Sequence, residues 1–365
     1  MRRGSMARGR GVGRGILTAA LALVAVVAFP VLSVDAHPEG WSVVYRSPTS
    51  NSYLSGIDSR APDDVWAVGT FIGPTPADGP PRVAVVHWDG RSWKLVPVSR
   101  PTGRRVALID VAAVGPREAW AVGRAPSGAL VLRWDGDRWS RVPAPDRATR
   151  NAVLAGIDRI PGTGRLWAVG DAGWRPLILH WTGRVWRTVE APPLPKAARL
   201  YDVAAVSRRT AWAVGQVGGS PLILRFTLGR GWRRVANPAF GDGTLLGVEA
   251  IVGRAVAAGY RDGPLLLRWE GGRWSEVRWR WPGASFSLTD VDVSGSTFWV
   301  AGVRSMDHRS EPFLLRGRVR WRWIRVPSPG RWSSFTAVSV LPGSIWATAQ
   351  RGEGEGNIGL VMRGP

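Results

Sequence analysis

Acidic residues recur at matching places along the chain, and carboxylates so placed can bind cations, take up protons or accept hydrogen bonds. Each adjoins the Ile or Val of a Leu-x-x-Ile/Val segment, at Asp58, Asp110, Asp158, Asp202, Glu249 and Asp290, with Asp292 beside the last. Around a common channel they would repel one another unless they bound a hard cation such as Ca²⁺, became protonated or accepted hydrogen bonds. Because they alternate about the apolar residue, we expect different side-chain directions and hydrogen bonds to neighbouring segments.

A second group of residues suits the recognition of sugars or anionic polymers. Four tryptophans lie outside the repeated Trp positions described below, in or beside connecting loops: Trp174, Trp279, Trp281 and Trp332. Arginines adjoin them, among them Arg175 and Arg280. Indole faces stack on sugar rings, and guanidinium groups make bidentate hydrogen bonds with anionic groups. Alternatively, Trp279 and Trp281 alternate with arginines in a strand-like rhythm and extend a neighbouring strand.

Signatures of catalysis are sparse. The chain contains no cysteine, which excludes thiolate metal sites, Cys nucleophiles and disulfides. It contains four histidines. His87 and His180 occupy a repeat position that Arg fills elsewhere, so we expect them to be structural. His308 has no Gly-x-Ser-x-Gly motif to accompany it. A glycoside hydrolase or lyase remains an alternative, with acids such as Asp262 or Asp290 near the channel mouth.

Two tryptophan motifs repeat along the chain and indicate what positions these residues. Trp-x-x-Val occurs seven times, beginning at Trp41, Trp93, Trp139, Trp186, Trp232, Trp274 and Trp323. Trp-Ala-Val-Gly, intact or degraded, also occurs seven times, beginning at Trp66, Trp120, Trp167, Trp212, Val256, Trp299 and Trp346. Trp321 falls outside both series. Between the motifs lies a Trp-Asp-Gly-like segment, whose Trp position we assign to Phe226, Gly317 and Met362 where Trp is missing.

Each unit therefore holds four short β-prone runs separated by turn residues, which is the pattern of a β-propeller blade. We predict an all-β, seven-bladed propeller of four-stranded blades over residues 37–365, forming one domain. The first Trp-x-x-Val copy, Trp41 to Val44, precedes every other element, and the chain stops after the third run of the last unit. We therefore expect this N-terminal strand to complete the last blade and close the ring.

The repeats resemble those of seven-bladed propellers in exported bacterial proteins with Trp-Ala-Val-Gly and His-Trp-Asp-Gly motifs, here His87-Trp88-Asp89-Gly90. They are also similar to tectonin-type lectin repeats and, more distantly, to kelch and sialidase propellers. The kelch double glycine and the Ser-x-Asp-x-Gly-x-Thr-Trp box of sialidases are missing, so the enzymatic roles of those families do not carry over. The resemblance implies a fold and no particular activity.

The N-terminus predicts export. Arginines precede an apolar run from Ile16 to Phe29, and Val34-Asp35-Ala36 offers a cleavage site, so we assign residues 1–36 to a signal peptide. A retained membrane anchor is the alternative; after cleavage we expect no stable span. The 47 arginines against two lysines are typical of a GC-rich, actinobacterial-type genome. Removing five Arg and one Asp with the signal lowers the net charge from +22 to +18.

A strongly basic exported protein meets anionic envelope polymers or acidic glycans, and no nucleic-acid-binding motif accompanies the charge. We therefore expect a secreted or cell-envelope-associated, monomeric propeller that binds a glycan or an anionic polymer without catalysing a reaction. Its binding surface would be the face formed by the loops between second and third strands and between blades, which we call the loop face. A protein-binding scaffold is a further alternative to the hydrolase or lyase.

Overall fold

The computed structural model describes residues 40–72, 80–98, 106–145, 149–235, 241–278, 285–353 and 356–365. These residues belong to one compact unit, Val31–Pro365. The 28 elements named within these ranges are all β-strands. No described segment forms a helix with the length and apolar character needed to cross a bilayer. The chain is an all-β propeller, as the repeats predict.

The first part of the chain forms the strand β1 and blades one to four, each blade being an antiparallel meander. The strands are β1 (Ser42–Arg46); β2 (Ser52–Ala61), β3 (Asp64–Phe71), β4 (Arg82–Trp88) and β5 (Trp93–Leu95); β6 (Ala107–Gly115), β7 (Glu118–Ala125), β8 (Gly128–Trp134) and β9 (Trp139–Arg141); β10 (Ala152–Arg159), β11 (Leu166–Ala172), β12 (Pro176–Trp181) and β13 (Trp186–Val189); β14 (Ala198–Ser207), β15 (Thr210–Val217), β16 (Ser220–Thr227) and β17 (Gly231–Arg234).

The remaining strands form blades five to seven. They are β18 (Thr244–Ile251), β19 (Arg254–Tyr260), β20 (Pro264–Glu270) and β21 (Arg273–Glu276); β22 (Ser285–Ser294), β23 (Thr297–Met306), β24 (Arg309–Gly317) and β25 (Trp321–Arg325); β26 (Trp332–Leu341), β27 (Ser344–Glu353) and β28 (Gly356–Gly364). Blades six and seven are also joined by one parallel bridge between Ser310 and Trp332.

The fourth strand of blade seven comes from the N-terminal end of the described chain. β1 pairs antiparallel with β28, with Ser42 opposite Arg363 and Arg46 opposite Leu360. Trp41 is buried, and its ring centroid lies 6.1 Å from that of Phe335. The pairing partner is the one that the orphan Trp-x-x-Val copy predicts. That this pairing holds the ring shut stays a prediction.

Tryptophans of the second strands wedge between successive blades. The Trp66 ring lies 5.3 Å from Trp134 and 5.2 Å from Trp139, both in blade two. The same contact with the next blade recurs at Trp120, Trp167, Trp212 and Trp346. Indoles of this size bury large apolar areas and gain from tilted stacking, so each wedge stabilises one interface between blades.

Each of these tryptophans has a second partner on the third strand of its own blade. The His87 ring stacks on Trp66 at 4.0 Å, and its Nε2 lies 2.8 Å from Asp64 Oδ1. His180 lies against Trp167 at 4.6 Å. Guanidinium groups lie over the corresponding indoles elsewhere, at Arg133, Arg225, Arg316 and Arg363. Both histidines therefore have the structural role that the repeat predicts.

The strand register corrects two assignments of the repeat. In blade six Gly317 pairs with Trp321, as Trp88 pairs with Trp93 in blade one, so Trp321 and not Trp323 holds the repeated position. Trp323 instead stacks on Phe313. In blade seven the position assigned to Met362 belongs to Gly364, where an added Cβ would lie 2.6 Å from the Trp41 ring. At both positions glycine leaves room for the outer indole.

Candidate functional site

The recurring carboxylates face one central channel in two tiers, two residues apart on the inner strands. The first tier alternates small and acidic residues, in blade order Gly56, Asp110, Gly156, Asp202, Gly247, Asp290 and Ala337. The second tier reads Asp58, Ala112, Asp158, Ala204, Glu249, Asp292 and Ser339. Our expectation that these carboxylates point in different directions is wrong, because residues two apart on a strand share a face.

The alternation in the first tier has a steric cause. A Cβ added to Gly56 would lie 2.8 Å from the Asp110 Cα, and one on Gly156 would lie 2.8 Å from the Asp202 Cα. Distances this short exclude any side chain, so each glycine allows the next blade's acidic strand to approach closely. The sequence therefore specifies both the carboxylate and the space beside it.

Most of these carboxylates hydrogen-bond to the backbone of the next blade. In the first tier the Ile157 N–H donates to Asp110 Oδ2 at 2.8 Å, and the Val248 and Val338 N–H groups donate likewise to Asp202 and Asp290. In the second tier the same bond joins the N–H groups of Ala113, Ala205 and Val340 to Asp58, Asp158 and Asp292. These are the hydrogen bonds between neighbouring segments that the sequence predicts.

Two interfaces depart from this pattern. Blade seven contributes Ala337 and Ser339 to the two tiers in place of carboxylates, and there the Ser59 N–H of blade one donates to Ser339 Oγ at 2.9 Å while the two hydroxyl groups lie 2.6 Å apart. In blade five, Glu249 Oε1 accepts a hydrogen bond from Ala250 on its own strand. Serine thus substitutes for aspartate where the two ends of the propeller sequence meet.

One arginine, which the sequence analysis missed, reaches across the channel. Arg159 Nη1 lies 3.0 Å from Asp58 Oδ2 and 3.3 Å from the Ala113 carbonyl oxygen. It links the inner strands of blades one, two and three. The carboxylates around it raise its pKa, that of Asp58 most. Among the described residues that line the channel, Arg159 is the one cation beside seven acidic residues.

Burial disfavours the ionised form of six of these acids. It raises the pKa of Asp158 and of Asp292 to about 7. It also raises the pKa values of Asp110, Asp202, Asp290 and Glu249 well above their ordinary range, with further repulsion from neighbouring carboxylates. Backbone N–H donors oppose the shift without cancelling it. In these six residues the environment therefore favours the protonated, neutral carboxyl over the ionised form.

These carboxylates line a cavity of about 410 Å³ together with Arg159 and Pro161. Within the described ranges, no three acidic or histidine side chains are arranged to hold a metal ion. The oxygens that bond to the backbone are already occupied as acceptors. Calcium binding in the channel stays a prediction.

On the loop face, Trp174 is the best-defined of the predicted contact residues. Its side chain is 51% exposed, and its φ of 65° is unusual for a residue other than glycine. The Trp174 N–H donates to Asp171 Oδ2 at 3.2 Å, and its carbonyl oxygen accepts from the Ala198 N–H at 2.9 Å. A conformation of this kind costs about 1–2 kcal/mol and persists because surrounding bonds hold it.

Arg199 from the next blade completes this arrangement. Its Cζ lies 3.4 Å from the centroid of the Trp174 ring, and its Nε lies 3.4 Å from Asp171 Oδ1. The indole is thus fixed by a cation–π contact while half of its surface meets solvent. Arg199 was not among the predicted residues, because 25 positions separate it from Trp174 and only the blade packing brings them together.

The other predicted contact residues are dispersed. Trp332 is 46% exposed at the start of blade seven, so two blades, one and two, lie between it and Trp174 on the shorter path around the propeller. Arg175 is exposed beside Trp174. Trp279, Arg280 and Trp281 lie outside the described residues. Trp174 and Trp332 are therefore separate contact points on the loop face and do not form one pocket.

No protein-family model and no curated protein sequence matches the chain. Among solved structures, it is similar to "YCF48 bound to D1 peptide" at 17% identity and a TM-score of 0.55, covering 93% of this chain and 99% of that one. "Structure of U3-55K" matches at 13% identity and a TM-score of 0.60, covering 88% of this chain and 98% of that one. "Crystal structure of WD40 beta propeller domain of Doa1" matches at 12% identity and a TM-score of 0.56, covering 88% of this chain and 97% of that one. These similarities establish the propeller fold.

Proposed function

We propose that this protein is an exported, non-catalytic binding propeller whose loop face recognises a glycan or an anionic polymer of the cell envelope. The exposed Trp174 indole, held in a strained conformation, is the observation that supports this most strongly. Its partners Asp171 and Arg199 fix the ring in advance, so little side-chain entropy is lost when a sugar ring stacks on it. Arg175 beside it adds a hydrogen-bond donor for anionic groups.

The charge of the chain favours the same class of ligand. The net charge of the chain is +18 once residues 1–36, which we assign to a signal peptide, are removed. A field of this sign concentrates polyanions near the surface and speeds their association. The ligand would then be held by short-range stacking on the loop face.

The acidic residues of the channel accept structural hydrogen bonds, and this role competes with a catalytic role in hydrolysis. Asp290 accepts hydrogen bonds from the N–H groups of Val291 and Val338, both at 2.8 Å. A general acid or base needs a free oxygen within reach of the substrate. This geometry favours binding over hydrolysis as the function.

A protein ligand is the second candidate. One similar solved structure is a propeller described as bound to a peptide, and the similarity covers 93% of this chain. Propellers host many functions, so this similarity supports protein binding only as an alternative. A peptide would also make use of exposed aromatic and arginine side chains, which are enriched in protein interfaces.

The test compares binding of the full chain and of Trp174→Asn to an array of glycans and anionic wall polymers. Asparagine tolerates the left-handed conformation, so the substitution removes the indole and leaves the turn intact. We expect the affinity for the bound polymer to fall at least about tenfold. Leu95→Ala, at an exposed residue of an outer strand, should leave it unchanged. Equal binding by Trp174→Asn would exclude the proposed site, and binding of peptides alone would favour the second candidate.

A further inference from the structure

The face opposite the loop face carries exposed aliphatic side chains at the tips of its turns. This face, which we call the hairpin face, is formed by the turns between first and second strands and between third and fourth strands. Val185, Leu228, Val252 and Val319 lie there, one in each of blades three to six, and are 51%, 56%, 86% and 61% exposed. They make up half of the eight large exposed hydrophobic residues of the described chain.

Arginines accompany these aliphatic residues. In or beside the hairpin-face turns of these four blades, eight exposed arginines have no carboxylate partner within the described part of the chain: Arg165, Arg184, Arg208, Arg209, Arg230, Arg273, Arg318 and Arg320. Among the described hairpin-face turns of these four blades, Glu270 is the one carboxylate, and it already pairs with Arg254 at 3.2 Å and Arg268 at 3.5 Å. This half of the hairpin face is therefore strongly cationic.

The hairpin turns of blades one and two also carry exposed arginines, Arg91 and Arg117, but they differ in holding acidic residues and no exposed aliphatic tip. Their tips carry Asp63, Asp89, Asp135 and Asp137 next to basic residues, and Lys94 pairs with Asp89 at 2.5 Å. No large aliphatic residue is exposed at these described turns. The coincidence of aliphatic tips and unpaired arginines is thus confined to four consecutive blades and is not a general property of the repeat.

We propose that the hairpin face of blades three to six docks on an anionic lipid bilayer. Turns at one end of a propeller lie at a similar level, so four single aliphatic tips can enter the interfacial region together while arginines meet the phosphates. A protein partner would instead favour a continuous apolar centre, because protein interfaces concentrate their buried apolar area there. Here the aliphatic residues are single and separated by guanidinium groups, which suits a fluid, evenly charged surface. This inference is independent of the proposed ligand on the loop face.

The test uses a polarity-sensitive dye, which can be attached at one position because the natural chain has no cysteine. Val185→Cys labels an aliphatic tip of blade three, and Arg138→Cys labels the corresponding position of blade two, immediately before the outer-strand tryptophan. Both variants keep the same N-terminal segment, so any lipid affinity of that segment affects them equally. The full chains are mixed with vesicles of equal parts phosphatidylglycerol and phosphatidylcholine, or of phosphatidylcholine alone.

We expect the dye at position 185 to shift to the blue on the anionic vesicles only, and the dye at position 138 to stay unchanged. Arg318→Gln combined with Arg320→Gln should lower the vesicle partition coefficient about tenfold or more, since each arginine near an anionic surface contributes roughly a fivefold factor. Arg91→Gln combined with Arg117→Gln removes the same charge from blades one and two and should change the vesicle partition coefficient less than about threefold. Equal responses of the two dyes, or no response of the dye at position 185 to the anionic vesicles, would overturn the proposal.

Discussion

Replacing Trp41 by alanine tests whether the N-terminal strand holds the propeller together. The Trp41 side chain is 2% exposed and packs in a cluster that includes Phe335, Leu314 and Met362. Truncating a fully buried tryptophan removes its transfer free energy and leaves a cavity, which costs about 3–5 kcal/mol. We expect the free energy of unfolding of Trp41→Ala to fall by an amount in this range.

The assay is equilibrium unfolding in urea, combined with amide hydrogen exchange to locate the loosened strands. Exchange should rise first in β1 and in its partner β28, because Trp41 anchors their pairing. Trp332→Ala provides the control, since this exposed tryptophan lies at the other end of the same blade and its loss should cost less than about 1 kcal/mol. A loss below about 1 kcal/mol for Trp41→Ala, with unchanged exchange in β28, would refute the closing role of β1.

Two further perturbations test the packing of the blades and the charge of the channel. Gly317→Ala would place a Cβ 2.5 Å from the Trp321 ring, so we expect the free energy of unfolding in urea to fall by about 1–3 kcal/mol. Gly164→Ala is the control, because an added Cβ there meets no atom within 4 Å and should leave stability nearly unchanged. Burial and the neighbouring carboxylates raise the pKa of Glu249 in the folded protein above its value in the unfolded chain. The protonated side chain therefore contributes fully to stability at pH values below the unfolded pKa. This contribution is lost as the pH rises through the folded pKa. Glu249→Gln should therefore leave the free energy of unfolding unchanged near pH 4 and increase it near pH 8, and a decrease at pH 8 would contradict the charge argument.

Repeated features were predictable from the sequence because seven copies define each strand position. The propeller, the wedge tryptophans and the pairing partner of β1 follow from motifs that recur at a regular spacing. The register of blade six was not predictable in this way. Trp321 and Trp323 lie two residues apart and share a strand face, so only the pairing of Trp321 with Gly317 decides which one holds the repeated position.

Contacts between blades were less accessible from the sequence. Arg199 reaches Trp174 across a blade boundary, and Arg159 reaches Asp58 across the channel, at distances that no local pattern encodes. The common direction of the carboxylates could have been predicted from the two-residue period of a strand. The aliphatic tips of the hairpin face differ in sequence context from blade to blade, and become a pattern only when the turns are placed on one surface.

We propose that the two faces of the propeller bind different partners, an envelope ligand on the loop face and a bilayer on the hairpin face. Oxidative footprinting of the full chain with isolated cell envelope tests both sites in one measurement. We predict protection of Trp174 by the ligand and of Val185, Leu228 and Val319 by lipid, with the outer-strand Leu95 unchanged. No change at Trp174 and at the hairpin tips would contradict both binding sites.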